Sequence, residues 1–377
     1  MISIKVYITL SCIFVLCSLN YVYAKEPFVR SGGHILMKGG NQEKESLFVF
    51  DTGSSVTIVS EEFCKTANCK KNLIWIYIID YKGKWKMHQM VRISDFYIDN
   101  LHFKNVKAFL KKDFEHSFSG YVCEEFPVEG ILGYNLLKQH NWKLNFTDTT
   151  YSTQQTPIHL ENGQILDFRL CGKIPYISLQ INDKPVKNIL FDTGDSRNVV
   201  LSSNIFNQLF TENVYTRQFL ANSLNSATEK QYTNQLYKGD ISVLSDSYPL
   251  VVGSTANKQG NALGGGFLAN STVAINYGDK TIHIDKTRHT RIWNKIVGIS
   301  FALEGNDIII TSIFADLKEK YPELQLGKVL KSVNEKNSCD LAEMNPCERR
   351  MFLRMLNHEN LEIVMETGTV YNLSPVF

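Results

Sequence analysis

Beyond residues 1–24 the chain is a succession of short β-branched and aromatic runs, broken by clusters of Gly, Asn, Asp and Lys. The clearest runs are 73–79, 90–98, 106–110, 177–181 and 241–252. Runs of that length bounded by turn residues predict the strands of a mainly β protein. Before residue 293, short helical stretches are predicted only at 135–140 and 203–210. Residues 35–50 and 176–191 each read as strand, polar turn, strand, and the two stretches align without a gap.

Both aligned stretches run into the same motif. Phe50-Asp51-Thr52-Gly53-Ser54-Ser55 ends the first and Phe191-Asp192-Thr193-Gly194-Asp195-Ser196 the second. Further on, Gly130-Ile131-Leu132-Gly133 and Asn261-Ala262-Leu263-Gly264 are each followed by an apolar run, at 142–146 and 273–277. An internal repeat of this size predicts two structural units of one kind, with their boundary near residue 163 in the polar segment 153–163. A single Asp-Thr-Gly carries little weight, because acidic turns are common between strands. Glu366-Thr367-Gly368 reads as only such a turn.

A matched pair of acidic loops has a chemical use. Two carboxylates held a few ångströms apart cannot both ionise, so one pKa falls and the other rises, and the values belong to the pair. Such a pair can activate water as a base and donate a proton as an acid, which hydrolyses an amide without a covalent intermediate. Asp51 and Asp192 are the candidate catalytic residues. Gly53 and Gly194 allow the tight backbone path by which the loops meet, and Thr52 and Thr193 are placed to hydrogen-bond across to the opposite loop. Leu132-Gly133 and Leu263-Gly264 supply, behind each loop, an apolar wedge and a residue without a side chain.

Composition narrows the setting. At 377 residues with 44% hydrophobic content, the chain is long enough for two or three domains, and a net charge of +2 argues against nucleic-acid binding. Lys5, the apolar run 6–17 and Val22-Tyr23-Ala24 predict a signal peptide over 1–24 and an exported protein, periplasmic, cell-surface or secreted; an uncleaved anchor or a lipoprotein are the alternatives. No later run is long enough to span a bilayer. Of eight cysteines, six lie beyond that segment, and an even set in an exported chain suggests disulfides, with free buried thiols as the alternative. Cys64 with Cys69 and Cys339 with Cys347 could staple local loops, and Cys123 with Cys171 is a looser suggestion. No cysteine or histidine pattern has metal-ligand spacing, so neither metal nor cofactor is expected. The sequons at Asn145 and Asn270 would carry sugar only in a eukaryotic secretory host.

The last part changes character. Gly298-Ile299-Ser300-Phe301 is followed by a strand at 307–313, a charged helix at 315–321, a strand at 327–333, a helix at 348–356 and a hairpin at 361–373. This order resembles a PDZ domain, whose carboxylate-binding loop has a Gly-hydrophobic-Gly-hydrophobic form; Ser300 stands at its third position. An unrelated α+β tail is the alternative. The resemblance implies a groove beside Gly298, Ile299, Ser300 and Phe301 that takes a peptide C-terminus as an added strand.

Through Asp51-Thr52-Gly53, Asp192-Thr193-Gly194 and the two hydrophobic-Gly segments, the chain resembles the retropepsin-like and pepsin-like aspartic proteases with two fused lobes, followed here by the PDZ-like domain. The implied fold is mainly β: two pseudo-twofold acid-protease β-barrels, 25–163 and 164–292, and a small α+β domain, 293–377. The implied activity is cleavage of an extended peptide or protein held between the lobes. The family covers its cleft with a hairpin flap, for which 79–85 with Tyr81, Lys82 and Gly83 is the candidate, an ordinary surface hairpin being the alternative. Family members usually carry Ser, Thr or Ala after the glycine, where a hydroxyl can bond the catalytic carboxylate. Ser54 fits and Asp195 departs. Asp195 either tunes the pH optimum, or turns outward, or marks a weakened enzyme, and the last leaves open a non-catalytic exported peptide-binding protein.

Overall fold

The structure, a computed structural model, describes residues 25–375 except 32, 42, 44, 80–84, 112–126, 222–229, 245, 256–259, 287–296, 346–347, 350–351, 354–355 and 357–359. The signal segment 1–24, the flap candidates Tyr81, Lys82 and Gly83, and Cys123 and Cys347 lie outside the described residues.

The protein is mostly β, as its apolar runs predict. The first half contributes β1 (Glu26–Pro27), β2 (Val29–Ser31), β3 (His34–Gly40), β4 (Glu45–Phe50), β5 (Thr57–Ser60), β6 (Lys70–Ile79), β7 (Trp85–Ile98), β8 (Leu101–Lys111), β9 (Val128–Leu132), β10 (Asn141–Asn145) and β11 (Thr150–Gln154). The second contributes β12 (Gln164–Asp167), β13 (Arg169–Cys171), β14 (Ile174–Ile181), β15 (Lys184–Asp192), β16 (Val199–Ser202), β17 (Val214–Ala221), β18 (Lys230–Val243), β19 (Asp246–Thr255), β20 (Asn261–Gly264), β21 (Thr272–Asn276) and β22 (Thr281–Asp285). Three helices punctuate them: α1 (Glu61–Thr66), α2 (Tyr134–Leu137) and α3 (Ser203–Leu209).

The halves repeat one strand order. In the first, the sheet runs β2-β3-β4-β9-β5-β8-β7-β6; in the second it runs β13-β14-β15-β20-β16-β19-β18-β17. Even the unusual pairings recur: β4 lies parallel to β9 as β15 does to β20, and β5 parallel to β8 as β16 does to β19. A third sheet, β1-β11-β10-β21-β22-β12, joins the halves, with Trp142 opposite Ile275 and Asn145 opposite Thr272 where β10 meets β21. One apolar core runs through both halves, holding Phe50, Trp142, Phe191 and Ile275.

Two local expectations need correction. The run 241–252 is not one strand, because Leu244 turns with a φ of 57° and starts the reversal from β18 into β19. Polar Ser245 and Asp246 were the missed signal. The second is a helix in the last part with no apolar periodicity, Ser338–Glu343. It begins at a capping box in which the Asn337 side chain accepts from the Asp340 backbone N–H and Asp340 accepts from that of Asn337.

The last part has its own core around Val297, Phe314, Leu330 and Ile363. Its elements are β23 (Ile299–Glu304), β24 (Asp307–Phe314), α4 (Ala315–Lys320), β25 (Val329–Val333), β26 (Lys336–Asn337), α5 (Ser338–Glu343), β27 (Leu361–Met365) and β28 (Val370–Leu373). Glu366-Thr367-Gly368 lies in the turn between β27 and β28, where Gly368 takes a φ of 85°. β24 pairs antiparallel with β17, Gln218 facing Ile313, so this part continues the second half's sheet.

Candidate functional site

β4 is a largely buried strand and β15 a half-exposed one, and the last apolar residue of each, Phe50 and Phe191, is fully enclosed. Each strand ends against a parallel neighbour, Phe50 beside Leu132 and Phe191 beside Leu263. The chain then turns in the same way twice: Ser54 N–H donates to the Asp51 carbonyl at 3.3 Å, and Asp195 N–H to the Asp192 carbonyl at 3.2 Å. Glycine is required behind each turn. A Cβ on Gly133 would stand 2.3 Å from the Val56 carbonyl carbon, and one on Gly264 would stand 2.2 Å from the Arg197 carbonyl oxygen.

The two loops interlock through buried threonines. Thr52 N–H donates to Thr193 Oγ1 at 3.1 Å and Thr193 N–H to Thr52 Oγ1 at 3.0 Å. Each hydroxyl in turn donates to the carbonyl at the end of the other half's strand, Thr52 to Phe191 at 2.6 Å and Thr193 to Phe50 at 2.9 Å. These four bonds satisfy both N–H groups and both hydroxyls of the buried pair, where an unmade bond would cost about 1–3 kcal/mol.

Interlocking brings the carboxyl groups together. A Cβ on Gly53 would lie 2.6 Å from Asp192 Cγ, and one on Gly194 would lie 2.4 Å from Asp51 Cγ. Each carboxyl thus packs over the glycine of the opposite loop, close enough for the two to perturb each other's ionisation, and Asp51 Oδ1 is buried without a hydrogen-bond partner. Burial pushes Asp51 up to about 6, even though hydrogen bonds from Asp192 and from the Gly53 and Ser54 backbone favour its charged form. Asp192 is raised well above the usual carboxylate range, first by burial and then by the charges of Asp51 and Asp195. Both shifts run the same way and belong to the pair, which holds a proton at a pH where isolated carboxyls would both be ionised. Both residues keep part of their surface open to solvent, so the pair is crowded by protein without being sealed.

Two neighbours differ from expectation. Ser54 Oγ donates to the Val56 carbonyl at 2.8 Å, satisfying its own turn, and only its backbone N–H serves Asp51. Asp195 does not face solvent: its side chain is 11% exposed and is gripped by Arg197, with Nε 2.9 Å from Oδ1 and Nη2 2.6 Å from Oδ2. Arg197 was missed in the sequence, where only its position two residues after Asp195 hints at the pairing. Desolvation works to lower its pKa, but Asp195 holds it above the usual arginine value.

The remaining candidates lie elsewhere. Gly298, at a φ of 86°, packs the face where a Cβ would be against the Phe314 ring, while Ile299 and Phe301 turn into the core of the last part. Ser300 pairs with Ser312 in the β23–β24 ladder. Cys64 and Cys69 form a disulfide, whereas Cys171 and Cys339 are exposed free thiols whose suggested partners are outside the described residues. A disulfide is consistent with an exported protein. Among the described residues no helix is long and apolar enough to cross a membrane, and no three His, Cys, Asp or Glu side chains cluster to hold a metal. No protein-family model matches the chain, and the search of curated proteins returned no match.

Proposed function

We propose that the protein is an exported aspartic endopeptidase of the two-lobed, retropepsin-like kind, carrying a PDZ-like domain at its C-terminal end. The observation that carries this reading is the pair Asp51 and Asp192, each carboxyl packed over the glycine of the opposite loop at the joint of two halves with one strand order. A structural ion pair would put a cation beside an anion; here two acids share a proton, an arrangement costly to the fold. Such a site is a candidate for acid–base chemistry.

In this reading Asp51, the ionised member, takes a proton from a water as that water attacks the scissile carbonyl. Asp192 donates its proton to the carbonyl oxygen, and the resulting diol collapses as a proton passes to the leaving nitrogen. The threonine interlock holds the two carboxyls in fixed relation through each step, and a misplacement of about 1 Å can cost about a hundredfold in rate. The fork from Arg197 supplies a countercharge for Asp195, which favours a tuning role for that residue over a disabling one.

The test is cleavage of a mixed peptide library by the mature chain beside Asp51→Asn and Asp192→Asn. Turnover that disappears in both variants while their thermal unfolding stays cooperative supports the assignment. Equal residual cleavage in all three proteins removes it, and tight peptide binding without turnover at any pH would favour the peptide-binding alternative.

A further inference from the structure

The two halves end their matching sheets on equivalent strands, β6 and β17, and the structure treats those strands differently. The outer edge of β17 is covered: Arg217, Gln218 and Phe219 pair with Phe314, Ile313 and Ser312, the Tyr215 ring stacks on Phe314, and Lys318 Nζ donates to Gln218 Oε1 at 3.1 Å. The outer edge of β6 has no partner strand among the described residues. Its apolar side chains stand in solvent, from Leu73 at 97% exposed through Ile74, Trp75 and Ile76 to Tyr77 at 62%, with Met87 beside Tyr77 on β7. A long apolar edge is a template for another strand, and proteins normally blunt one with charge, proline or a covering element. The second half has its cover, and the first half shows none among the described residues.

We propose that β6 is a self-association edge, on which a second copy of this chain adds its own β6 antiparallel to form a two-fold dimer. The strand suits itself. Ile74-Trp75-Ile76-Tyr77-Ile78 reads alike from either end about Ile76. Antiparallel pairing about that residue sets Trp75 of each copy opposite Tyr77 of the other, an aromatic cross-strand pair made twice, and it has the self-complementary form a two-fold contact requires. Charge agrees: Lys70 and Lys71 lie at one end of β6, so antiparallel alignment sends the two basic pairs to opposite ends, where parallel alignment would stack them. The bulge between Lys71 and Trp75 falls at the end of the apolar run and leaves Trp75 to Tyr77 in regular pairing. Area sets the strength: taking about 150–250 Å² for a large side chain, the five exposed residues of β6 offer at most roughly 600 Å² per copy, so a pair buries no more than on the order of 1,200 Å², the size of a weak, concentration-dependent contact.

The experiment is sedimentation of the mature chain over about a hundredfold range of concentration, beside Ile76→Lys, which would set two ammonium groups face to face at the two-fold axis. We expect the parent to approach twice the monomer mass and Ile76→Lys to self-associate at least tenfold more weakly with an unchanged circular dichroism spectrum. In a background with Cys123, Cys171, Cys339 and Cys347 all replaced by Ser, Ile76→Cys should form an intermolecular disulfide under mild oxidation. A parent that stays monomeric throughout overturns the proposal. So does a dimer that survives Ile76→Lys, or a monomer whose β6 edge instead takes up phosphatidylcholine vesicles or a single extended peptide.

Discussion

Asp195 is the charged residue outside the pair that acts on both acids, and Arg197 is its countercharge. The charge of Asp195 raises both Asp51 and Asp192, after burial and, for Asp192, after Asp51. Replacing it by Asn removes that repulsion and frees the Arg197 guanidinium to act on Asp192, so both changes push the pair toward acid. The cleavage pH profile of Asp195→Asn should therefore shift to lower pH, and that of Arg197→Ala, which leaves Asp195 without its countercharge, to higher pH. In the parent, activity should rise as pH climbs through about 6, where the pair first ionises, and fall only at higher pH, where the second proton leaves. Profiles of all three proteins on one peptide check this. Thr193 tests the interlock. Thr193→Val strands the Phe50 carbonyl and the Thr52 N–H and should cost about 1–3 kcal/mol in urea unfolding, while Thr193→Ser, which keeps the hydroxyl, should recover most of that loss.

Strand pairing across β17 and β24 is what fixes the last part to the second half. Phe314 sits at that joint, buried, with its ring on Tyr215 and against the open face of Gly298. Phe314→Ala should cost about 3–5 kcal/mol, felt first in the joint and the last part's core rather than at the paired acids. Hydrogen exchange should show faster opening of β17 and β24 with β4 and β15 little changed. Most elements were legible from their apolar runs: β14 and β24 begin and end within a few residues of the pattern. The β18–β19 reversal was not, because two strands joined by a tight turn with an apolar Leu244 read as one continuous run. Nor was α5, whose short length gives it no apolar face to repeat and leaves the capping box at Asn337 as its signal.

For the whole molecule the paired acids carry a stability cost that depends on pH. A carboxyl whose folded-state pKa is raised favours the fold while protonated, and that contribution is lost as pH rises through the folded value. The parent should lose stability as pH rises from about 4, where aspartates of the unfolded chain ionise, through about 6, where Asp51 titrates in the fold, and further as Asp192 ionises above it. Asp192→Asn, with no proton to lose there, should melt several degrees above the parent at pH 8 and show little advantage at pH 4. Thermal unfolding of both proteins across pH measures this directly. The sequence by itself determined that the chain is mainly β, that it contains a repeat, and that Asp51 and Asp192 are equivalent in it, because period, turn residues and motif are local properties. Tertiary structure alone decided that each of the two carboxyls packs over the opposite loop's glycine, that Arg197 closes on Asp195, and that β17 is covered while β6 has no partner strand among the described residues. Each of those depends on which distant backbone segments come within a few ångströms, and in a sheet protein that is set by long-range strand pairing that neighbours in sequence do not encode.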